Sequence, residues 1–382
     1  MSHLLEFAFK NFISFREGAR ISFELDANCP PHISNDLDFT TVIGVKGANG
    51  SGKTNVLKAI SFLVDFARNS WAKDPDEVLA IAPFFGSDQP CEFCAKFRIK
   101  EYVYEYELVA NNSEVVSEKL SRTRSKRSVL VERDRNKLDT TSEFRELREM
   151  QLKSNASFIS TARQYQLATL KPVYEFFDRC RSNVNFRGPI ETFGSTSAAA
   201  RFLNEDQASL DFVREFLSSC DTGISNVTIE KRASVDEKRP PTYYPRFHHV
   251  AGESQISITE DDESHGTRSL FRILPIYRAA LQRGGILILD EFDAFLHPFI
   301  LQKLVDLFGD PDENPNRAQL LFSTHNTEIL DSLGRYRTYL VNKVDNESFA
   351  YRLDEIQGDL LRNDRRIVPP YLEGKIGGVP RL

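Results

Sequence analysis

Gly47-Ala48-Asn49-Gly50-Ser51-Gly52-Lys53-Thr54 fits the pattern G-x-x-x-x-G-K-[ST], a loop built to cradle phosphate. Its flanks suit that reading. Thr41-Val42-Ile43-Gly44-Val45 before it is an apolar, β-like run, and after it Val56, Leu57, Ile60, Leu63, Val64 and Ala67 recur on one helical face. A strand, a glycine turn and a helix N-terminus in that order aim backbone N–H groups and a positive dipole end at an anion. Gly47, Gly50 and Gly52 let the chain wrap a phosphate where a Cβ would collide. Asn49, Gly50, Ser51 and Gly52 form the cradle, Lys53 reaches the β- and γ-phosphates of a nucleotide, and the Thr54 hydroxyl ligates Mg²⁺.

A second signal lies far downstream. Ile286-Leu287-Ile288-Leu289-Asp290-Glu291 is an apolar run ending in two carboxylates. Four consecutive apolar residues suit a strand buried on both faces, as in the middle of a parallel sheet. Ligands bind at the C-terminal ends of such strands. There Asp290 holds Mg²⁺ through water and Glu291 polarises the attacking water. Gln319-Leu320-Leu321-Phe322-Ser323-Thr324-His325-Asn326 repeats the scheme of apolar strand and polar tip. A histidine at that tip can donate to a γ-phosphate or steady a water.

In this order the motifs resemble those of the ATP-binding-cassette ATPases, in their SMC/RecF-like branch. Phe9-Lys10-Asn11-Phe12 with Ser14-Phe15 is similar to the opening strand of that branch, and Gly47–Thr54 and Ile286–Glu291 to its Walker A and Walker B motifs. Phe292-Asp293-Ala294-Phe295-Leu296-His297-Pro298 resembles the D-loop, which brings Asp293 to the nucleotide, and Ser323-Thr324-His325 resembles the switch-histidine motif. Glu263-Ser264-His265-Gly266-Thr267 stands where the signature motif belongs, although it keeps only a serine, a glycine and a helix start. In the family those two residues, here Ser264 and Gly266, touch the γ-phosphate held by another subunit, so ATP is sandwiched in a dimer. Ser264 can equally be a plain helix N-cap. Gln89 and Gln164 are the candidates for the family's Q-loop glutamine. The tail, with Tyr371-Leu372-Glu373-Gly374 and Gly377-Gly378-Val379-Pro380, resembles that of bacterial ATPases of the RloA/AbiL abortive-infection group. Anti-phage sensor ATPases such as those of PARIS, and the ATPase part of the OLD nucleases, share this layout.

The resemblance implies an α/β fold: an ABC-ATPase head of the P-loop NTPase type with an antiparallel β lobe and an inserted helical region. Residues 1–90 form the first part of the head and 91–260 the lobe and insertion. Residues 261–382 return to the head with the signature, Walker B, D-loop and switch histidine. It implies ATP and Mg²⁺ as ligands, hydrolysis by Glu291 and His325, and a homodimer or higher oligomer of heads. The expected role is a sensor or switch in anti-phage defence that controls a separate effector, such as a Toprim-type nuclease. No such nuclease domain fits in the stretch after His325. The alternative is a RecF-like repair ATPase that binds DNA when ATP is bound. A scaffold that binds ATP without appreciable turnover is the third reading.

Bulk properties agree with a cytoplasmic protein. The 382 residues are 41% hydrophobic and 27% charged with a net charge of −6, which argues against a generic cationic coat for nucleic acid. No apolar run is long enough for a membrane span and no signal peptide is apparent. Five cysteines make no disulfide framework. Cys91-Glu92-Phe93-Cys94 lacks a second pair for zinc and opens an alternating run, so its thiols read as buried or half-buried. His248-His249 on a strand point to opposite faces and chelate poorly. Alternation from Phe93 to Ile99 and through Tyr102, Tyr104 and Tyr106 predicts an antiparallel lobe. Lys119 to Lys137 is dense in basic residues, either a phosphate-contacting surface or a charged hairpin in water. Residues 141–180 and 198–220 read mainly as helix. A β-like patch follows, with Pro240–Pro245 as an extended connector.

Overall fold

The computed structural model describes residues 2–190, 195–220, 222–233, 240–291, 293 and 296–379. Of the motifs above, Phe292, Ala294 and Phe295 of the D-loop and Pro380 of the tail lie outside the described residues. Two sheets organise the head. The alternation of Leu5, Phe7 and Phe9 produces the strand Ser2–Lys10, which pairs antiparallel with Ala19–Ser22 on one side and Cys91–Ile99 on the other. Tyr102–Ala110, Val115–Thr123, Arg127–Asp134 and Lys137–Thr140 extend this antiparallel sheet to seven strands. Its inner face buries Phe93, Phe97, Tyr106 and Leu108. The sheet therefore draws strands from both sides of the phosphate loop.

The second sheet has six strands in the order Glu347–Arg352, Thr338–Val344, Val42–Gly47, Gln319–Ser323, Ile286–Leu289, Arg181–Ser182. All its pairings are parallel except that of Glu347–Arg352 with Thr338–Val344. Ile286–Leu289 is buried throughout, as its unbroken apolar run requires. Alternate residues feed two different cores. Ile286 and Ile288 join Ile43, Val45 and Leu321 under the antiparallel sheet, while Leu287 and Leu289 join Leu320 and Phe322 on the opposite side. The helix Lys53–Asn69 fills the space between the two sheets with Val56, Leu57, Ile60, Leu63, Val64 and Ala67, all buried, and sets Phe62 against Phe93 with ring centroids 5.0 Å apart. The other side is covered by the helices Thr196–Glu205, Gln207–Ser218, His265–Arg283 and Pro298–Gly309, with a three-stranded sheet, Ile224–Arg232, Thr242–Ala251 and Ser254–Ile258.

Some expectations need correction. Residues 141–180 are mainly helical, as expected, but in short pieces: the 3₁₀ stretches Ser142–Glu149 and Ala168–Leu170 and the helices Phe158–Gln164 and Lys171–Asp178. Polar side chains break the run. Asn155 Nδ2 donates to the carbonyls of Asp74 and Glu77, and Ser157 caps the next helix by accepting from Ile159 N–H. The connector Pro240–Pro245 enters the strand Thr242–Ala251. Pro245 is tolerated because Ser254–Ile258 pairs only with Phe247 onward, which leaves its part of the strand at an edge. Cys91 is buried, with Sγ 2.9 Å from Asn11 O, and Cys94 lies on the other face of the same strand; burial pushes both thiols up to about 12. No helix among the described residues is long and apolar enough to cross a membrane.

The basic stretch is largely a hairpin of ion pairs. Lys119 faces Glu107 and Glu132, Arg122 faces Glu143, and Arg127 faces Glu105 and Glu107. Arg133 points inward and is fully buried with Glu118. Its guanidinium also donates to the carbonyls of Arg135, Ala156 and Lys153, while Glu118 accepts from Tyr106 Oη–H, Ser157 Oγ–H and Phe158 N–H. Burial raises the Glu118 pKa and Arg133 opposes that rise. Replacing Arg133 by Met removes the charge that balances Glu118, so we expect a loss of about 3–5 kcal/mol in urea unfolding. The exposed Arg127→Met change should cost about 1 kcal/mol or less in the same measurement.

Candidate functional site

The loop after Val42–Gly47 has the steric character that its glycines imply. A Cβ on Gly47 would lie 2.3 Å from Val341 O, and one on Gly52 (φ 115°) would lie 2.7 Å from Ser348 Oγ and 3.1 Å from the Phe15 ring. The helix Lys53–Asn69 begins at Gly52 with no side-chain cap and no acidic residue in its first turn. Its positive end is therefore left for an anion from outside. Lys53 Nζ donates to Gly47 O at 3.0 Å and Ala48 O at 3.2 Å, so the ammonium is folded over its own loop. Burial holds its pKa below the usual lysine range, and Glu291 and Asp290 oppose that shift.

Asn49, Gly50, Gly52, Lys53, Thr54, Asn55, Glu291 and His325 line one cleft of about 500 Å³. Parallel pairing explains why. Val42–Gly47, Gln319–Ser323 and Ile286–Leu289 end at the same edge of the sheet, so their C-terminal tips meet. Beneath the cleft Asp290 is buried and accepts from Ser323 Oγ–H through Oδ1, while its Oδ2 is buried with no partner among the described residues. Glu291 follows with a left-handed backbone (φ 46°) and its N–H on Ser323 Oγ at 3.1 Å. Its Oε1 lies 3.2 Å from His325 Nε2, and both side chains are about half exposed. A carboxylate and an imidazole thus face the phosphate loop.

Asp290 and Thr54 suit a small divalent cation. An unpartnered buried carboxylate oxygen and a hydroxyl at the cleft are the hard oxygen donors that Mg²⁺ takes, alongside water and phosphate. Ser51 is buried under the loop, and its carbonyl accepts from Ser348 Oγ–H at 2.6 Å. Asp293 is mostly buried and hydrogen-bonded to Thr324 Oγ1; burial raises its pKa.

Not every expected residue comes to this cleft. Ser264 is exposed and caps the helix His265–Arg283, accepting from Thr267 N–H at 3.1 Å, and neither it nor Gly266 lines the cleft. Gln89 lines a different cavity beside Asn11, and Gln164 is exposed at the end of its helix. His248 and His249 diverge as alternation requires, to Thr228 Oγ1 and Glu263 Oε1 respectively.

Supporting residues appear that the sequence reading did not single out. Asn183 clasps the Asp290 backbone, donating Nδ2 to its carbonyl at 3.0 Å and accepting its N–H at 2.7 Å. Ser348 hydrogen-bonds Ser14 Oγ at 2.8 Å, and Ser14 accepts from Asn55 Nδ2, which ties the opening turn to the loop. Lys46 is buried, with Nζ donating to the His325 carbonyl at 2.8 Å and lying 5.2 Å from the Tyr371 ring centre. Burial, then the nearby Lys53 charge, lowers its pKa to about 8. Asn183 and Ser348 have no local motif to betray them. Lys46 could have been flagged as the one charge inside an apolar strand.

A family model described as "AAA domain, putative AbiEii toxin, Type IV TA system" matches residues 42–331, from the first residue of the phosphate-loop strand to beyond His325. Comparison with curated proteins gives no match. Among solved structures the chain is similar to an SMC head domain from Thermotoga maritima, at 15% identity over 93% of this chain and 100% of that one, with a TM-score of 0.46. It is also similar to an SMC head bound to the C-terminal winged-helix domain of ScpA, at 12% identity over 92% and 98% of the two chains, with a TM-score of 0.49. A third is an SMC head with coiled coil and joint derived from Pyrococcus yayanosii, at 12% identity over 93% and 98%, with a TM-score of 0.44. The family match spans well over half of the chain and covers the phosphate loop, Asp290-Glu291 and His325, so the chain belongs to this family of AAA domains.

Proposed function

We propose that the protein binds and hydrolyses ATP with Mg²⁺ at this cleft, and that a second copy completes the site with Ser264 and Gly266. The observation that carries the reading is the convergence of Lys53, Thr54, Glu291 and His325 on one cleft above an Asp290 oxygen with no partner. Lys53 would leave its loop carbonyls for the β- and γ-phosphate oxygens, and the N-terminus of its helix would hold the same groups. Bound Mg²⁺ would neutralise charge on the phosphates, held by Thr54 and, directly or through water, by Asp290. Glu291 would take a proton from the attacking water, with His325 Nε2 close enough to orient the pair. The exposure of Ser264 and its position at a helix N-terminus support a contact with a phosphate on another subunit.

The cycle we infer is a switch. ATP joins two heads, hydrolysis separates them, and the two states act differently on a separate effector. The family description names an AbiEii-type toxin of a type IV toxin–antitoxin system, which supports a role in bacterial defence in which a second protein takes part. A nuclease is the effector we favour. The dense pairing of the basic hairpin gives DNA fewer free cations than its composition promised, which supports the switch over a repair ATPase.

Glu291→Gln keeps the shape of the side chain and removes the base. Steady-state phosphate release should fall by about 10²–10⁴-fold while ATP binding persists and a dimer accumulates on gel filtration with ATP. Unchanged turnover would remove Glu291 from the mechanism. Lys53→Ala should abolish nucleotide binding in calorimetry. Asn183→Ala loosens the Asp290 backbone without touching substrate, so the Mg²⁺ concentration for half-maximal turnover should rise about 10–100-fold. Saturating Mg²⁺ should restore most of the rate, as a positioning role requires.

A further inference from the structure

A cavity of about 600 Å³ lies away from the nucleotide cleft, between the helices Lys171–Asp178, Thr196–Glu205 and His265–Arg283. One face of the last helix builds much of it. Arg272, Pro275, Ile276, Ala279, Ala280 and Arg283 recur at helical spacing, with an arginine at each end and apolar residues between. Across from them stand Phe202, itself 38% exposed, and Ala199. Arg179 and Arg181 close the rim.

The charges around this cavity do not balance. Its two carboxylates are already engaged, Glu175 with Lys171 and Asp178 with Arg68 and Arg163. Among the described residues, no ion pair involves Arg179, Arg181, Arg272 or Arg283. Among the described residues Arg181 donates to the neutral carbonyls of Asp178 and Cys180, and Arg272 Nε to that of Arg268. Burial and then the neighbouring Arg68 charge lower the Arg181 pKa, with Asp178 opposing and Arg283 adding a smaller push. Four guanidinium groups therefore surround an apolar floor, on a chain whose net charge is −6. Cavities of roughly 300–1,000 Å³ hold small molecules, and guanidinium forks recognise phosphate with paired hydrogen bonds.

We propose that this cavity binds a phosphorylated small molecule with a flat apolar body, of mononucleotide size. The body would lie on Phe202 and the Ile276–Ala280 face, with the phosphate between Arg272, Arg283 and the rim arginines. The helix that forms its wall is the one that begins at Ser264, so an occupant would rest on the element that carries the proposed cross-subunit contact. The binding itself does not depend on hydrolysis, and its test needs none.

The test uses the full chain carrying Lys53→Ala, so that the phosphate loop does not compete. The probe is 8-anilinonaphthalene-1-sulfonate, an aromatic anion, followed by fluorescence, with AMP and adenosine as competitors. The expected result is saturable binding that AMP displaces and adenosine does not. A further Arg272→Gln/Arg283→Gln change should weaken it by about tenfold or more, the effect of losing charged hydrogen bonds. A separate Ala279→Trp change, which fills the floor and leaves the arginines in place, should abolish it. Equal displacement by adenosine, or binding unchanged in both variants, would overturn the proposal.

Discussion

One hydroxyl ties the two central strand ends together. Ser323 Oγ donates to Asp290 Oδ1 on the neighbouring strand and accepts the N–H of Glu291. The first bond turns the Asp290 carboxylate so that Oδ2 stays free beneath the cleft. The second helps hold Glu291 at φ 46°, a conformation that costs a non-glycine residue about 1–3 kcal/mol. Without that turn the chain would continue in the strand direction and the Glu291 carboxylate would not reach His325. The arrangement works only because the strands are parallel and in register, Leu289 beside Phe322.

The sheet also brings a charge where none is expected. Lys46 lies in the strand that feeds the phosphate loop and is buried, so its ammonium must be met by something other than water. The His325 carbonyl and the Tyr371 ring meet it. Tyr371 is itself fixed by its hydroxyl on Gly378 O, and Gly378 N–H by Asn342 Oδ1. A chain of contacts thus runs from the tail through Lys46 to the backbone of the residue opposite Glu291. The tail stretch around Tyr371 thus packs against the lysine that holds the His325 carbonyl.

Legibility followed the range of the interaction. Apolar periodicity is local, so Val42–Gly47, Ile286–Leu289 and the face of Lys53–Asn69 could be placed from their own residues. The phosphate loop was readable because glycine positions report backbone geometry. Asn183 was not readable, since its partner is Asp290, more than a hundred positions away, and an asparagine after a short edge strand carries no periodic signal. Ser348 fails for the same reason, joining Ser14 and Ser51 from a strand of its own. The helix expected across 141–180 comes in short pieces: Phe144, Leu147 and Met150 have helical spacing, but Asn155 and Ser157 spend their side chains on backbone groups and break the run. The basic hairpin was ambiguous until cross-strand neighbours supplied the acids.

Ser264 shows that a helix cap and a ligand contact need not compete. Its hydroxyl accepts from Thr267 N–H with one lone pair and lies 2.9 Å from Thr267 Oγ1. A serine hydroxyl offers one proton and two acceptor sites. When Thr267 donates to Ser264, both acceptor sites are filled and the serine proton is left over at an exposed helix start. A phosphate oxygen at a helix N-terminus accepts from such a proton. Alanine at this position would remove cap and donor together, whereas asparagine would keep the cap and move the donor. The two substitutions therefore separate the stabilising role of the side chain from a role toward phosphate, because only the second depends on where the proton sits.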